Sequence, residues 1–224
     1  MKICTWNLMR PTNRTVLRNN IFHNTIKTAN PDILILTETN SNINPGVNYF
    51  SSSTTELPAD FENLAYEDGE NRVTIYSKFP FGRHFKTCDE YTSVCSEVLS
   101  LNGSLIIYAT IIGVTGGKDK RFVKEFINQK EDISKLSLEN DICVAGDFNI
   151  SFSGFPYPSH SVIKEAEDFF ENVGLKILTA NNLNSPDHIA ISKSFIKDSS
   201  LESSELPFER KITDHSFITT TLLF

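Results

Sequence analysis

The stretch from Asp141 to Ser151, DICVAGDFNIS, constrains this chain more than any other. Four residues suited to a buried strand, Ile142 to Ala145, run into Gly146 and then directly into Asp147, Phe148 and Asn149. Gly, Asp and Asn are frequent turn residues, so a plain turn accounts for the motif taken alone. The alternative is a core strand that ends by presenting a carboxylate and an amide to one small volume.

Periodicity along the chain supports several such strands. KICTWNL alternates over Lys2 to Leu8. Ile33 to Leu36 is a continuous aliphatic run, the pattern of a strand covered on both faces. Further strands are expected at Arg72 to Ser77, Thr92 to Leu101 and Ser104 to Ile112, the last two joined by the hairpin dipeptide Asn102-Gly103. Asp187 to Ser192 and Ser216 to Leu223 read as two more. Helical spacing predicts one helix over Arg14 to Ala29, with Val16, Leu17, Ile21 and Ile26 on its apolar face. A second is predicted over Asp119 to Leu136, and a third over Val162 to Val173, stopped by Gly174. Lys193 to Glu205 reads as a polar, Ser-rich loop. Strands outnumber helices, and the mixed order implies an α/β protein with two packed sheets.

The 224 residues, 39% hydrophobic and 22% charged, are enough for a sizeable core in a single domain, 1–224, and no composition shift divides them. The formal net charge of −7 lacks the excess of Lys and Arg that tight, non-specific duplex binding draws on. Lys118 to Arg121 is the one dense basic cluster. No apolar run is long enough to cross a bilayer, and the first residues are strand-like without a secretory apolar core. Cys4, Cys88, Cys95 and Cys143 show neither C-x-x-C nor zinc spacing. A cytoplasmic, monomeric protein with no membrane partner is the expectation.

Polar residues recur at the strand ends. Asn7 ends the first strand and Glu38 the second; Asp147 and Asn149 end the GDFN strand. Asp187 opens another, and Asp214 and His215 precede the last. Glu38 is a poor turn former placed after four aliphatics, and an acidic group beside a core strand is costly unless paired or coordinating a metal. A solvent-exposed strand tip is the plain alternative. His215, as a lone histidine, is more often structural than catalytic. His188 alternates to the opposite side of its strand from Asp187, which makes it a packing or surface residue.

Together, TWNL (Thr5–Leu8), ILTET (Ile35–Thr39), RVTIYSKFP (Arg72–Pro80), VAGDFN (Val144–Asn149), DHIAIS (Asp187–Ser192) and TDHS (Thr213–Ser216) resemble the endonuclease/exonuclease/phosphatase family. That family includes deoxyribonuclease-like nucleases, abasic-site nucleases, sphingomyelinases and inositol-phosphate phosphatases. Each motif alone is weak; six in family order cover nearly the whole chain. The resemblance implies a four-layer sandwich of two mixed β-sheets flanked by helices, with the site at one end. It implies Glu38 as a direct ligand of Mg²⁺ or Mn²⁺, supported by Asn7 and Asp214. Asp147 would orient or deprotonate the attacking water and Asn149 would hydrogen-bond the developing phosphorane. His215, oriented by Asp187, would contact the scissile phosphoryl oxygens. Oxygen donors suit a hard divalent ion, and such an ion stabilises charge growing on phosphate.

The chain departs from the family at the strand before the long helix, where members usually carry a His or Tyr. Here Ile111 stands at that position. Thr110, or Tyr157 and His160 from the loop after GDFN, are the candidate replacements for the missing donor. Loss of one electrostatic stabiliser typically costs about 10²–10³ in rate. Phe152, Phe155 and Tyr157 could stack a base or simply plug the core.

The expected activity is metal-dependent hydrolysis of a phosphodiester, in nucleic acid or a nucleotide. A phosphomonoesterase on a small sugar, inositol or nucleotide phosphate is the alternative within the enzyme class. A catalytically weakened binding module is the third reading, supported by Ile111 alone.

Overall fold

In this computed structural model, residues 1–224 are described. The chain opens with β1 (Lys2–Asn7), α1 (Val16–Ala29) and β2 (Ile33–Asn40), followed by β3 (Phe50–Ser53) and the short ribbon of β4 (Asp60–Phe61) and β5 (Leu64–Ala65). Next come β6 (Glu70–Ser77), β7 (Phe81–Phe85), β8 (Ser93–Ser100), β9 (Gly103–Ile111) and α2 (Lys120–Ser137). The last third holds β10 (Ile142–Asp147), α3 (His160–Asn172), β11 (Leu175–Ile177), β12 (Asp187–Ser192), β13 (Ser200–Leu206) and β14 (Phe217–Leu223). Two six-stranded sheets result, ordered β13-β14-β1-β2-β6-β3 and β11-β12-β10-β9-β8-β7.

Three apolar layers hold four layers of structure together. Ile3, Ile33, Ile35, Ile75, Ile107, Cys143, Ile189 and Ile218 belong to the core between the two sheets. Phe122, Phe126, Ile133, Phe148 and Phe170 pack α2 and α3 on the outer face of the second sheet. Cys4, Trp6, Phe22, Ile26, Leu34 and Leu36 pack α1 on the first. The alternation within β2 accounts for its unbroken aliphatic run: Ile33 and Ile35 face the other sheet while Leu34 and Leu36 face α1. Each fully buried aliphatic contributes about 1.5–3 kcal/mol. The architecture is the four-layer sandwich that the family resemblance implies. No helix is long and apolar enough to cross a membrane, and all four cysteines are free.

Several local expectations need correction. Val16 and Leu17 are exposed, and the buried face of α1 is set by Phe22 and Ile26. Leu17 lies five residues before Phe22, about 140° round the helix at 3.6 residues per turn. The expected loop of Lys193 to Glu205 contains most of β13, an edge strand antiparallel to β14 over its whole length. Its sequence, SLESSEL, lacks an apolar face because it is almost wholly exposed, as suits an edge that must not recruit another strand. The third helix starts two residues early because the Ser159 hydroxyl accepts from Val162 N and caps it.

Strand directions bring the polar strand ends to one place. β1 runs parallel to β2 and antiparallel to β14, so Asn7, Glu38 and the entry to β14 meet. In the other sheet β10 is antiparallel to β12, and Asp147 is the register partner of Asp187. At Gly146 the backbones of β9 and β10 leave no room for a side chain: a Cβ there would lie 1.9 Å from the Thr110 carbonyl oxygen, and its φ of +136° is unfavourable for any other residue.

His188 is the packing residue its strand position implies. It is fully buried, with Nδ1 2.9 Å from Thr179 Oγ1 and Nε2 2.9 Å from the Ile150 carbonyl. Burial disfavours the imidazolium and pushes its pKa from 6.5 down to about 4. Because the unfolded chain takes up this proton first, the stability lent by neutral His188 is complete above pH 6.5 and is lost as pH falls towards 4. Urea unfolding should show the wild type losing up to roughly 3 kcal/mol more than His188→Gln across that window; parallel curves for the two proteins would refute the assignment.

Candidate active site

The site grows from the end of β1. Asn7 is fully buried; its Nδ2 donates to Asp147 Oδ2 at 2.9 Å and to Glu38 Oε1 at 3.2 Å, while its Oδ1 accepts from Met9 N at 2.8 Å. One amide therefore joins carboxylates from both sheets. Glu38 has a φ of +44°, a left-handed conformation that costs an ordinary residue of order 1–2 kcal/mol. The strand is bent there because Leu8 N and Arg10 N donate to the Thr37 and Glu38 carbonyls, fastening the chain after β1 onto β2.

Asp147 is buried, and its Oδ1 accepts from Asn149 N at 2.9 Å. Asn149, also left-handed at φ +50°, turns its Nδ2 to the carbonyls of Ile112 (3.0 Å) and Gly113 (3.2 Å) and to Asp147 Oδ2 (3.3 Å). Across the register pair, Asp187 Oδ2 lies 2.6 Å from His215 Nδ1. The other oxygen, Asp187 Oδ1, is buried without a partner. Asp214, half-exposed, places Oδ1 3.5 Å from His215 Nε2, so a carboxylate flanks each ring nitrogen. The loop carrying Asp214 and His215 is held from β1: Trp6 Nε1 donates to the His215 carbonyl and Thr213 Oγ1 to the Asn7 carbonyl. Arg18 of α1 donates to the carbonyls of Leu8, Met9 and Ile212, clamping the two loops together.

Charge in the cluster is out of balance. Burial raises the pKa of Glu38, opposed by the Asn7 hydrogen bond. Burial also raises Asp147 well above the usual carboxylate range, reinforced by Asp187 and Glu38 and opposed by His215. Burial alone would lower His215, but the Asp187 carboxylate outweighs it and pushes the imidazole up to about 10. Asp147, Asp187 and His215 each bring a ligand atom within 4.8 Å of one another. Clustered carboxylates, with the pKa values of Glu38 and Asp147 raised and one buried oxygen of Asp187 unpartnered, fit a divalent cation.

The expected residues divide in two. Asn7, Glu38, Asp147, Asn149, Asp187, Asp214 and His215 lie in one hydrogen-bonded or adjoining group. Tyr157 lines the open cleft beside it, with its hydroxyl accepting from Gly117 N at 2.8 Å. Thr110 does not reach the cleft: it is fully buried and its hydroxyl donates to Gln129 Oε1 at 2.7 Å, because strand alternation turns it towards α2. His160 is the exposed first residue of α3 and lines a separate groove with Lys164, Glu165 and Asp168. Ile111 is the register partner of Asp147 and belongs to the inter-sheet core, so that position supplies no donor. The cleft is completed by Ser151, Phe155, Asn184, Pro186, Phe208 and Arg210. Of these, sequence reasoning flags Phe155 alone, since the others sit in loops without periodicity.

A model of the endonuclease/exonuclease/phosphatase family matches residues 4–215, and the chain belongs to that family. No curated protein sequence is significantly similar to it. Among solved structures, an endonuclease/exonuclease/phosphatase from Beutenbergia cavernae DSM 12333 superposes with a TM-score of 0.71 at 14% identity, covering 100% of this chain and 71% of that one. The 3′ phosphatase NExo from Neisseria, bound to a product DNA hairpin, gives 0.70 at 14% identity with 100% of both chains covered. The endonuclease domain of TRAS1, a telomere-specific non-LTR retrotransposon, gives 0.69 at 11% identity, covering 99% and 97%. At these identities the likeness is one of fold.

If Asp187 holds His215 charged, an NMR titration of the metal-free protein should find no His215 midpoint below pH 9. In Asp187→Asn the midpoint should fall by at least two pH units. A wild-type midpoint near 6.5 would refute the ion pair.

Proposed function

We propose that the protein is a divalent-metal-dependent hydrolase of phosphodiester bonds, acting on nucleic acid or a nucleotide. The observation that carries this reading is the Asp187–His215 pair set beside the buried Asp147 at the floor of an open cleft. Glu38 and Asp214 would offer carboxylate oxygens to Mg²⁺ or Mn²⁺, with Asn7 supporting Glu38 through its amide and able to ligate only if that amide turns its oxygen from Met9 N towards the ion. When bound, such an ion would stabilise charge developing on the phosphate.

The chain's own groups then divide the work. Asp147, raised above ordinary carboxylates by burial, is basic enough near neutral pH to orient a water and take its proton. Asn7 and the Asn149 backbone N–H hold its two oxygens in place. Asn149 Nδ2 is engaged by the Ile112 and Gly113 carbonyls and by Asp147 Oδ2, and it would have to exchange one of these acceptors to donate to a phosphoryl oxygen as the reaction proceeds. His215 keeps its Nδ1 proton on Asp187 and turns Nε2 to the cleft, where as an imidazolium it donates to a phosphoryl oxygen. Tyr157 has its hydroxyl proton uncommitted, and it stands where it can replace the donor missing at Ile111. Phe155, Tyr157 and Phe208 with Arg210 give the cleft aromatic faces and one cation, a combination suited to a base and its phosphate. The similarity in fold to a DNA-bound 3′ phosphatase and to an endonuclease domain supports the substrate class. The net charge of −7 favours a single strand or nucleotide over tight duplex binding.

The test is hydrolysis of bis-p-nitrophenyl phosphate and of a labelled single-stranded oligonucleotide in Mg²⁺, Mn²⁺ or EDTA. Turnover should vanish in EDTA. It should fall by about 10²–10⁴ in Asp147→Asn and in His215→Ala, the range for loss of a general base or a charge stabiliser. Turnover that survives EDTA or either substitution would exclude this mechanism.

A further inference from the structure

The turn between β9 and α2, Gly113 to Gly117, meets the catalytic cluster at two points through backbone groups. The Gly113 carbonyl accepts from Asn149 Nδ2 at 3.2 Å, beside the Ile112 carbonyl at 3.0 Å, and Gly117 N donates to the Tyr157 hydroxyl at 2.8 Å. The fit is close, since a Cβ on Gly117 would lie 2.5 Å from the Asn149 carbonyl oxygen. Any movement of this turn is therefore felt by Asn149 and Tyr157 together.

The group that holds the turn comes from α2. Gly113 N donates to Glu125 Oε2 at 2.6 Å. Glu125, in the second turn of α2, is half-buried, and this is the one hydrogen bond it makes. It has no ion pair: Arg121, one turn back, is bonded to Glu62 and Asp119 instead. Burial raises the Glu125 carboxyl pKa, and the Gly113 N–H opposes that rise. A carboxylate partly withdrawn from water and aimed at a single backbone N–H makes a short, strong hydrogen bond. The connection continues to the reacting centre. Asn149 reaches both oxygens of Asp147, through its backbone N–H at 2.9 Å and through Nδ2 at 3.3 Å.

We propose that Glu125 is a positioning residue for the reaction: by holding Gly113 it sets the turn against Asn149 and Tyr157, and through Asn149 it fixes Asp147. It touches neither substrate nor metal. The kinetic effect rests on the hydrolase reading, whereas the orientation of Asn149 is observable without turnover. The acceptor and not the charge is what matters, so any side chain that places an oxygen at Gly113 N suffices.

Two variants separate acceptor from charge, and both leave the buried face of α2 (Phe122, Phe126, Gln129 and Ile133) intact. Glu125→Gln keeps an oxygen at the same reach and loses the charge. Glu125→Asp keeps the charge and withdraws the oxygen by one methylene. With bis-p-nitrophenyl phosphate in Mg²⁺, kcat should fall about 10- to 100-fold in Glu125→Asp, the cost of a small displacement at a reacting group. In Glu125→Gln it should stay within about threefold of wild type, because a neutral acceptor still makes the bond. KM should change by less than about twofold in both, since no ground-state contact is lost. In an Asn149→Gly background Glu125→Asp should cost less than about twofold more, because the two residues act through one another. In NMR spectra of the metal-free protein, the Asn149 side-chain amide protons should move in Glu125→Asp and stay in place in Glu125→Gln. Wild-type kcat in Glu125→Asp, equal impairment of both variants, or full additivity with Asn149→Gly would overturn the proposal. An Asn149 amide unmoved in Glu125→Asp would overturn it whatever the turnover. An amide that moves as expected in a protein that hydrolyses no ester would overturn the hydrolase reading and leave the hold of Glu125 on Asn149 standing.

Discussion

Asp147 and Asp187 sit opposite each other as a register pair across β10 and β12, both buried, with the His215 imidazole bonded to one of them. Two carboxylates in so small a volume repel each other, and a cation beside them or a proton on one of them makes the arrangement tolerable. Much of the rest of the molecule serves this requirement. The first sheet delivers His215 through the β1–β14 pairing, and Trp6, Thr213 and Arg18 fix the height of its loop. Asn7 then ties the first sheet's Glu38 to the second sheet's Asp147 through a single amide group.

The two sides of this cluster differ in character. The cleft beyond His215 is open and lined by Phe155, Tyr157, Phe208 and Arg210, with side chains partly in solvent. The recess beyond Glu38 is narrow, and its arginines Arg10 and Arg72 are paired with Glu70 and Glu62. At Ile111 the inter-sheet core takes the position, while Tyr157 stands in the lining of the open cleft.

Much of the fold was legible in the sequence because burial writes itself into periodicity. The double-faced run of β2, the hairpin joining β8 to β9 and the amphipathic spacing of α2 all reflect side chains that must leave water. What was not legible lies where burial is weak. β13 carries no apolar face and is a strand only because β14 offers its hydrogen-bonding edge. The first turn of α1 is apolar yet exposed, so periodicity misplaced its buried face. Thr110 and His160 share a common cause of error. A residue's distance along the chain from the motif says nothing of which way strand alternation or a helix N-cap will turn it.

The sequence by itself determined the four central strands of each large sheet, their polar terminal residues and the family to which the chain belongs. Those follow from local preference and from motifs that each occupy a few consecutive residues. Only the tertiary structure decided that Asn7 would hold Glu38 and Asp147 with one amide, that Asp187 would keep one oxygen unpartnered, and that Arg10 and Arg72 would be neutralised in a recess beside Glu38. Those contacts span from 10 to 140 positions of separation, and they exist because strand direction and sheet stacking bring distant strand ends together. Hydrogen bonding and charge pairing depend on distances of about 3 Å, and no pattern in the linear order of residues encodes distances on that scale between elements so far apart.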